Sequence, residues 1–107
     1  MRFAVFISED AERDTIDIYD HISRRDSTAN ARRVLDAIDT ACRGLSMSPE
    51  RGNVPKELRA IGISEFRELH SGPYRAIYRT FGRRVVVYCV VDGRRDMESL
   101  LRRRLLR

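Results

Sequence analysis

The chain has 107 residues, 42% of them apolar and 35% charged, with a net charge of +5, and this length leaves room for one domain around one core. No apolar run reaches membrane-spanning length, and Glu9 and Asp10 interrupt the N-terminal apolar residues too early for a signal peptide, so the cytoplasm is the expected compartment. The two histidines and two cysteines lack metal-ligand spacing and no glycine-rich phosphate loop is present, so no metal and no cofactor are expected.

RFAVFI (2–7) predicts a first strand. Ser8 then caps a helix with Glu9, Asp10 and Glu12 in its first turn and Arg24 and Arg25 at its far end, an order that suits the helix dipole. Ala11, Thr15, Ile18, Tyr19 and Ile22 share one face at helical spacing. Asp26-Ser27 ends this helix and starts the next, where Ala31, Val34, Leu35, Ile38, Cys42 and Leu45 keep the helical period through to Met47. The two predict an antiparallel hairpin with one shared apolar side. Cys42 and Cys89, each within an apolar pattern, are expected as buried, reduced thiols.

SPERGNVP (48–55) reads as a loop, and after it the period becomes strand-like. Strands are expected at 57–61, 65–70, 74–81 and 85–91, with turns at Ser71-Gly72-Pro73 and Gly82-Arg83-Arg84. VVVYCVV is apolar at every position, which marks a central strand covered on both faces. Asp96 caps a last helix that carries Met97, Leu101 and Leu105 along one side. The expected architecture is α+β in a single domain over 1–107. It has an N-terminal strand, an antiparallel two-helix hairpin packed on a mainly antiparallel sheet of about four strands, and a short C-terminal helix.

Charge is divided unevenly. Residues 1–53 carry 8 basic and 10 acidic side chains, residues 54–107 carry 13 and 6, and of all 21 basic residues only Lys56 is a lysine. Arginine suits two-pronged contacts with carboxylate or phosphate, although a GC-rich coding sequence produces the same usage. On strand 74–81 the alternation puts Tyr74, Ala76, Tyr78 and Thr80 on one face, suited to the helical hairpin. Arg75, Ile77, Arg79 and Phe81 take the other, expected as a shallow basic surface. Arg94 and Arg95 leave the end of the neighbouring strand, so Arg75 and Arg95 are expected to converge. Two readings stand: these arginines line a site for acidic groups, or they are ion-paired to Asp92, Asp96, Glu65 or Glu68.

The helix AERDTIDIYDHI, the loop P-E-R-G at 49–52, FRELHSGPYRAIYR and VVDGRRDMESLL, in this order and spacing, resemble the RelE/ParE superfamily of bacterial toxin–antitoxin toxins over about residues 3–105. In the superfamily's ribosome-dependent mRNA endoribonucleases, basic side chains and often a tyrosine or histidine do the cutting. Placed against that pattern, Arg75 and Arg95 stand where two of its arginines stand. Phe66 and Glu68 replace two lysines, and Leu101 replaces the tyrosine. If the chain is a nuclease, the resemblance leaves Arg75, Arg95 and His70 to do the chemistry.

The two-helix spacing and the DGRRDMESLL ending are more similar to the ParE branch, whose members poison DNA gyrase without cutting nucleic acid. That likeness implies an inhibitor rather than an enzyme, with DNA gyrase as target, growth arrest as outcome and no membrane role. It also implies neutralisation by a cognate acidic, ParD-like antitoxin, with operator DNA reached only through the antitoxin complex. The expected binding residues are Arg75, Ile77, Arg79, Phe81, Arg94 and Arg95 on the sheet side and Arg102, Arg103 and Arg104 in the tail. The alternatives are the mRNA endoribonuclease and a non-toxic antitoxin-binding module acting in transcriptional autoregulation.

Overall fold

The computed structural model describes residues 2–106. The elements are β1 (Ala4–Ile7), α1 (Glu9–Arg25), α2 (Thr28–Arg43), a 3-10 turn (Gly44–Ser46), α3 (Lys56–Arg59), β2 (Arg67–Ser71), β3 (Tyr74–Phe81), β4 (Arg84–Asp92) and α4 (Met97–Leu105). The strands form one sheet in the order β1-β4-β3-β2. β1 runs parallel to β4, and the other pairings are antiparallel. The α+β architecture is as expected from the sequence.

Local chemistry accounts for the boundaries. The Ser8 hydroxyl accepts from the Ala11 N–H and starts α1, and the Ser27 hydroxyl does the same for α2 through the Asn30 N–H. The Asp96 carboxylate accepts from the Ser99 N–H and starts α4. Both hairpins have two-residue loops beginning at a glycine with positive φ, Gly72 at 57° and Gly82 at 55°, which such tight connections require. One expected strand is absent. Residues 57–61 instead begin as the single helical turn α3, directly after Pro55, with Leu58 buried beneath it. The second helix also stops at Arg43, four residues short of Met47, and the chain tightens into the 3-10 turn.

Both faces of the sheet are covered, but unequally. Ala11, Ile38, Cys42 and Leu45 pack on Ala76, Tyr78, Val85, Val87 and Val90 to form the main core. On the opposite face Met97, Leu100 and Leu101 of α4 join Leu58, Phe66, Ile77, Cys89 and Val91. A β-bulge lets β4 serve both cores. Ile77 pairs with Cys89 but Tyr78 pairs with Val87, so Tyr88 is an extra residue and the alternation beyond it inverts. That inversion, together with cover on both sides, explains why VVVYCVV has no polar position. Cys42 and Cys89 are free and buried, and burial pushes their thiols up to about 11 and about 12, so both stay protonated.

The PERGN loop is clamped onto the sheet. The buried Tyr78 hydroxyl donates to the Pro49 carbonyl at 2.7 Å and accepts from the Gly52 N–H at 3.1 Å. Arg67 Nη1 donates to the Gly52 carbonyl at 2.6 Å. A Cβ on Gly52 would lie 2.4 Å from the Glu68 carbonyl oxygen and 2.7 Å from the Tyr78 hydroxyl. Gly52→Ala is therefore expected to destabilise the domain by about 1–3 kcal/mol, the usual cost of overpacking a tight site. Urea denaturation gives the comparison, and a midpoint equal to wild type would mean that the loop shifts freely.

Candidate functional site

Arg75 sits near the start of β3 with its guanidinium enclosed. Its Nε donates to Glu68 Oε1 at 2.5 Å, while Nη1 and Nη2 donate to the two carboxylate oxygens of Glu57 at 3.1 and 2.8 Å. The side chain is only 8% exposed, and Glu57 and Glu68 are 14% and 5% exposed. Asn53 Nδ2 donates to the other Glu68 oxygen at 2.9 Å, and His70 Nε2 lies 3.6 Å from that same oxygen. The Arg75 hydrogen bonds hold the Glu57 carboxyl below the usual carboxylate range and raise the guanidinium above its own. Two carboxylates thus neutralise one arginine, and the triad carries one net negative charge.

Gly93 completes this arrangement and links the two arginine-bearing stretches. Its N–H donates to the Pro73 carbonyl at 2.8 Å, and a Cβ there would lie 2.7 Å from Arg75 Cδ. The glycine of DGRRD is thus the gap through which the aliphatic stem of Arg75 passes. The two stretches meet by backbone contact rather than by gathering their arginines. Arg94 folds back on Asp92, with Nε and Nη2 at 2.9 and 2.6 Å from its oxygens, and this pairing lowers the Asp92 carboxyl to about 2. Arg95 instead lines a separate cleft of about 490 Å³ between α1 and α4, beside Tyr74, Asp17, His21 and Arg103. Arg75 and Arg95 do not converge.

The tail is anchored by one of its arginines. Arg104 Nη1 and Nη2 donate to the Asp14 carboxylate at 3.1 and 2.8 Å, and Nη2 also reaches the Tyr88 carbonyl at 3.3 Å. Asp14 in turn accepts from the Val90 N–H at 2.9 Å. β1 pairs only with Arg84–Val87, so β4 runs on past its neighbour. Asp14 and Arg104 finish the exposed edge there. Arg102 and Arg103 remain on the solvent side, Arg102 facing Glu98 at 3.9 Å. Arg107 lies outside the described residues.

The outer sheet face differs from the expected shallow basic surface. Arg75 and Ile77 are buried, Arg75 in the triad and Ile77 under α4 and α3. Only the half toward Gly82 is open. There Phe6 and Phe81 are 50% and 39% exposed, and the Arg79 guanidinium stacks 4.5 Å from the Phe81 ring. With Arg84 and Val86, Phe6 and Phe81 line a shallow apolar hollow of about 300 Å³. Of the expected binding residues, Arg79, Phe81, Arg94, Arg95, Arg102 and Arg103 therefore reach solvent. Glu57 and Asp14, the partners that fix Arg75 and Arg104, were not among the expected site residues. Pro55 before K-E-L-R is the signal for Glu57, since a proline beside the first turn of a helix argues against a strand.

Among the described residues no helix is long and apolar enough to cross a membrane, and no cluster of three metal-ligating side chains occurs. No curated protein sequence matches the chain significantly. Among solved structures, the fold is similar to a chromosomal ParDE toxin–antitoxin system from P. aeruginosa, with TM-score 0.72 and 17% identity over 85% of this chain and 96% of that one. It is also similar to a RelBE toxin–antitoxin complex from Mycobacterium tuberculosis, with TM-score 0.63 and 22% identity over 86% and 92%. A third similar structure is an arginine-to-alanine double mutant of the E. coli toxin RelE in the free state, with TM-score 0.59 and 16% identity over 94% and 93%. The family model for the ParE toxin of the type II toxin–antitoxin system parDE matches residues 5–97. With most of the chain under that model and the fold in agreement, the chain belongs to the ParE toxin family of type II toxin–antitoxin systems.

Proposed function

We propose that this toxin acts by binding DNA gyrase rather than by cutting RNA, and that a cognate acidic antitoxin neutralises it. The observation that carries the first half is the Glu57–Arg75–Glu68 triad. A nuclease needs cations free to meet the charge that develops on a scissile phosphate. Here Arg75, one of the two arginines that match the nuclease pattern, is held by two carboxylates, and the triad would repel a phosphate, while Arg95, the other, lies apart from it in a separate cleft. The other pattern positions are no better suited, because Phe66 and Leu101 are buried in the core beneath α4. His70 is exposed but lies beside Glu68 in a shallow cleft. What remains on the surface is a set of arginines suited to a protein or DNA-bound target.

The similar structures are a ParDE toxin–antitoxin system and a RelBE toxin–antitoxin complex, which supports an antitoxin partner for this chain. Its 13 basic and 6 acidic side chains after residue 53 favour an acidic one. One experiment separates the readings. Induction of the protein is expected to produce gyrase-dependent DNA breaks, while purified protein added to translating ribosomes leaves mRNA intact. Codon-phased mRNA cuts by the wild type would reverse the assignment. Growth arrest with neither cuts nor breaks would remove gyrase as the target.

A further inference from the structure

We infer that the open half of the outer sheet face, at the Gly82 end, binds single-stranded DNA without cutting it. Bases stack on Phe6 and Phe81, and the arginines around them meet the phosphates. Both rings lie on strands, yet neither belongs to either core, and at 50% and 39% exposure they leave large apolar faces in water. The register sets them diagonally. Phe6, Val86 and Arg79 cross the face in one row, and Ala4, Arg84 and Phe81 in the next. The rings are therefore two strands apart, about 9–10 Å, with Val86 and Arg84 on the strand between them. These four side chains line the hollow of about 300 Å³, at the opposite end of β3 from Arg75.

Charge narrows the class of partner. The Arg79 guanidinium lies 4.5 Å from the Phe81 ring and that of Arg83 lies 5.9 Å from the Phe3 ring, while Arg84 is exposed. Among the described residues none of these three has an ion pair, in contrast to Arg75, Arg94 and Arg104. Unpaired cations beside exposed rings match a nucleotide, which carries a flat ring and an anion at a fixed spacing. An acidic peptide supplies only the anion. In a duplex the base faces cover one another, so a single strand is required. Phe6, Phe81 and Val86 offer no acceptor to a 2′-hydroxyl and arginine only donates, so a deoxyribose fits the hollow better than a ribose. A second copy of this chain fits poorly, because the same arginines would face each other. The proposal goes beyond the gyrase reading and needs neither gyrase nor antitoxin.

Fluorescence anisotropy with a labelled twelve-nucleotide oligodeoxyuridylate tests it, against the matching ribo strand and a duplex of equal length. The deoxy strand is expected to bind about tenfold more tightly than either and to be recovered uncut. Phe6→Ala and Phe81→Ala are each expected to weaken it about tenfold, as the loss of one stacked base does. Phe6→Leu, which keeps apolar bulk but loses the ring, should weaken it nearly as much. Arg84→Glu is expected to cost about tenfold or more and to make the salt dependence shallower. Circular dichroism checks the fold of these exposed variants. No binding, equal binding of all three nucleic acids, or ring variants equal to wild type would overturn the proposal. Displacement of the strand by polyglutamate as readily as by unlabelled strand would overturn it in favour of an acidic protein. A dimer in sedimentation that Phe6→Ala abolishes would overturn it in favour of a second copy. DNA breakage in induced cells is scored separately, so failure here is distinguishable from failure of the gyrase reading.

Discussion

Arg75→Ala is expected to destabilise the domain by about 3–5 kcal/mol, the cost of leaving buried charge without its partner. Removing the guanidinium leaves Glu68, which is 5% exposed, with Asn53 and the surface histidine His70 as its remaining side-chain partners among the described residues. It also removes both hydrogen bonds that hold Glu57. Since a domain of this size is stable by about 5–15 kcal/mol in total, the loss is a large fraction. Adding Glu68→Gln is expected to recover part of it, because the neutral amide is less costly to bury than a lone carboxylate. Urea denaturation of the two variants and of Glu68→Gln alone closes the cycle. A loss below about 1 kcal/mol for Arg75→Ala would mean that water replaces the guanidinium and that the triad is not structural.

The same triad has a pH signature. Glu57 is held below the ordinary carboxylate range chiefly by its hydrogen bonds to Arg75. A carboxyl depressed in the folded state stabilises fully above its unfolded value, about 4.3, and loses that contribution as pH falls through its native value. The wild type should therefore weaken below about pH 4, and Arg75→Ala should show a shallower acid dependence. Equal slopes would mean that Arg75 does not set the Glu57 titration.

The sequence made the helices and the central strands legible because each carries a period, a cap and a terminus that agree. Ser8, Ser27 and Asp96 all cap as their positions suggest. It misled where local pattern and tertiary need diverge. At 57–61 a short mixed stretch has no period long enough to distinguish a strand from one helical turn. Strand alternation correctly put Arg75, Arg79 and Phe81 on one face, but it cannot say how far α4 extends across that face. Glu57 and Asp14 are not legible as partners because each lies far in sequence from its arginine, 18 and 90 residues away. Nothing local marks such a pairing. Of the arginines, alternation gives the direction of each, while burial and partners decide which remain available to another molecule.

That distinction bears most on the tail, where three consecutive arginines look alike in sequence. Arg104 is the anchor, two-thirds or more buried against Asp14 and the Tyr88 carbonyl, whereas Arg102 and Arg103 face solvent. Arg104→Ala is expected to cost about 1.5–3 kcal/mol, as lost charge-assisted hydrogen bonds do, and to loosen α4 and the β4 edge together. Changing Arg102 and Arg103 both to Glu should leave the fold and antitoxin binding intact. If the tail meets gyrase or its bound DNA, that charge reversal should reduce DNA breakage by about tenfold or more, because cations that touch phosphate set affinity without base specificity. Breakage assays at matched protein levels, with antitoxin pull-down as the folding control, separate the two roles. Equal breakage with the double glutamate variant and the wild type would mean that the tail helix serves only to close the outer core. Arg95, open in the cleft between α1 and α4 and without an ion pair among the described residues, would then be the next residue to test.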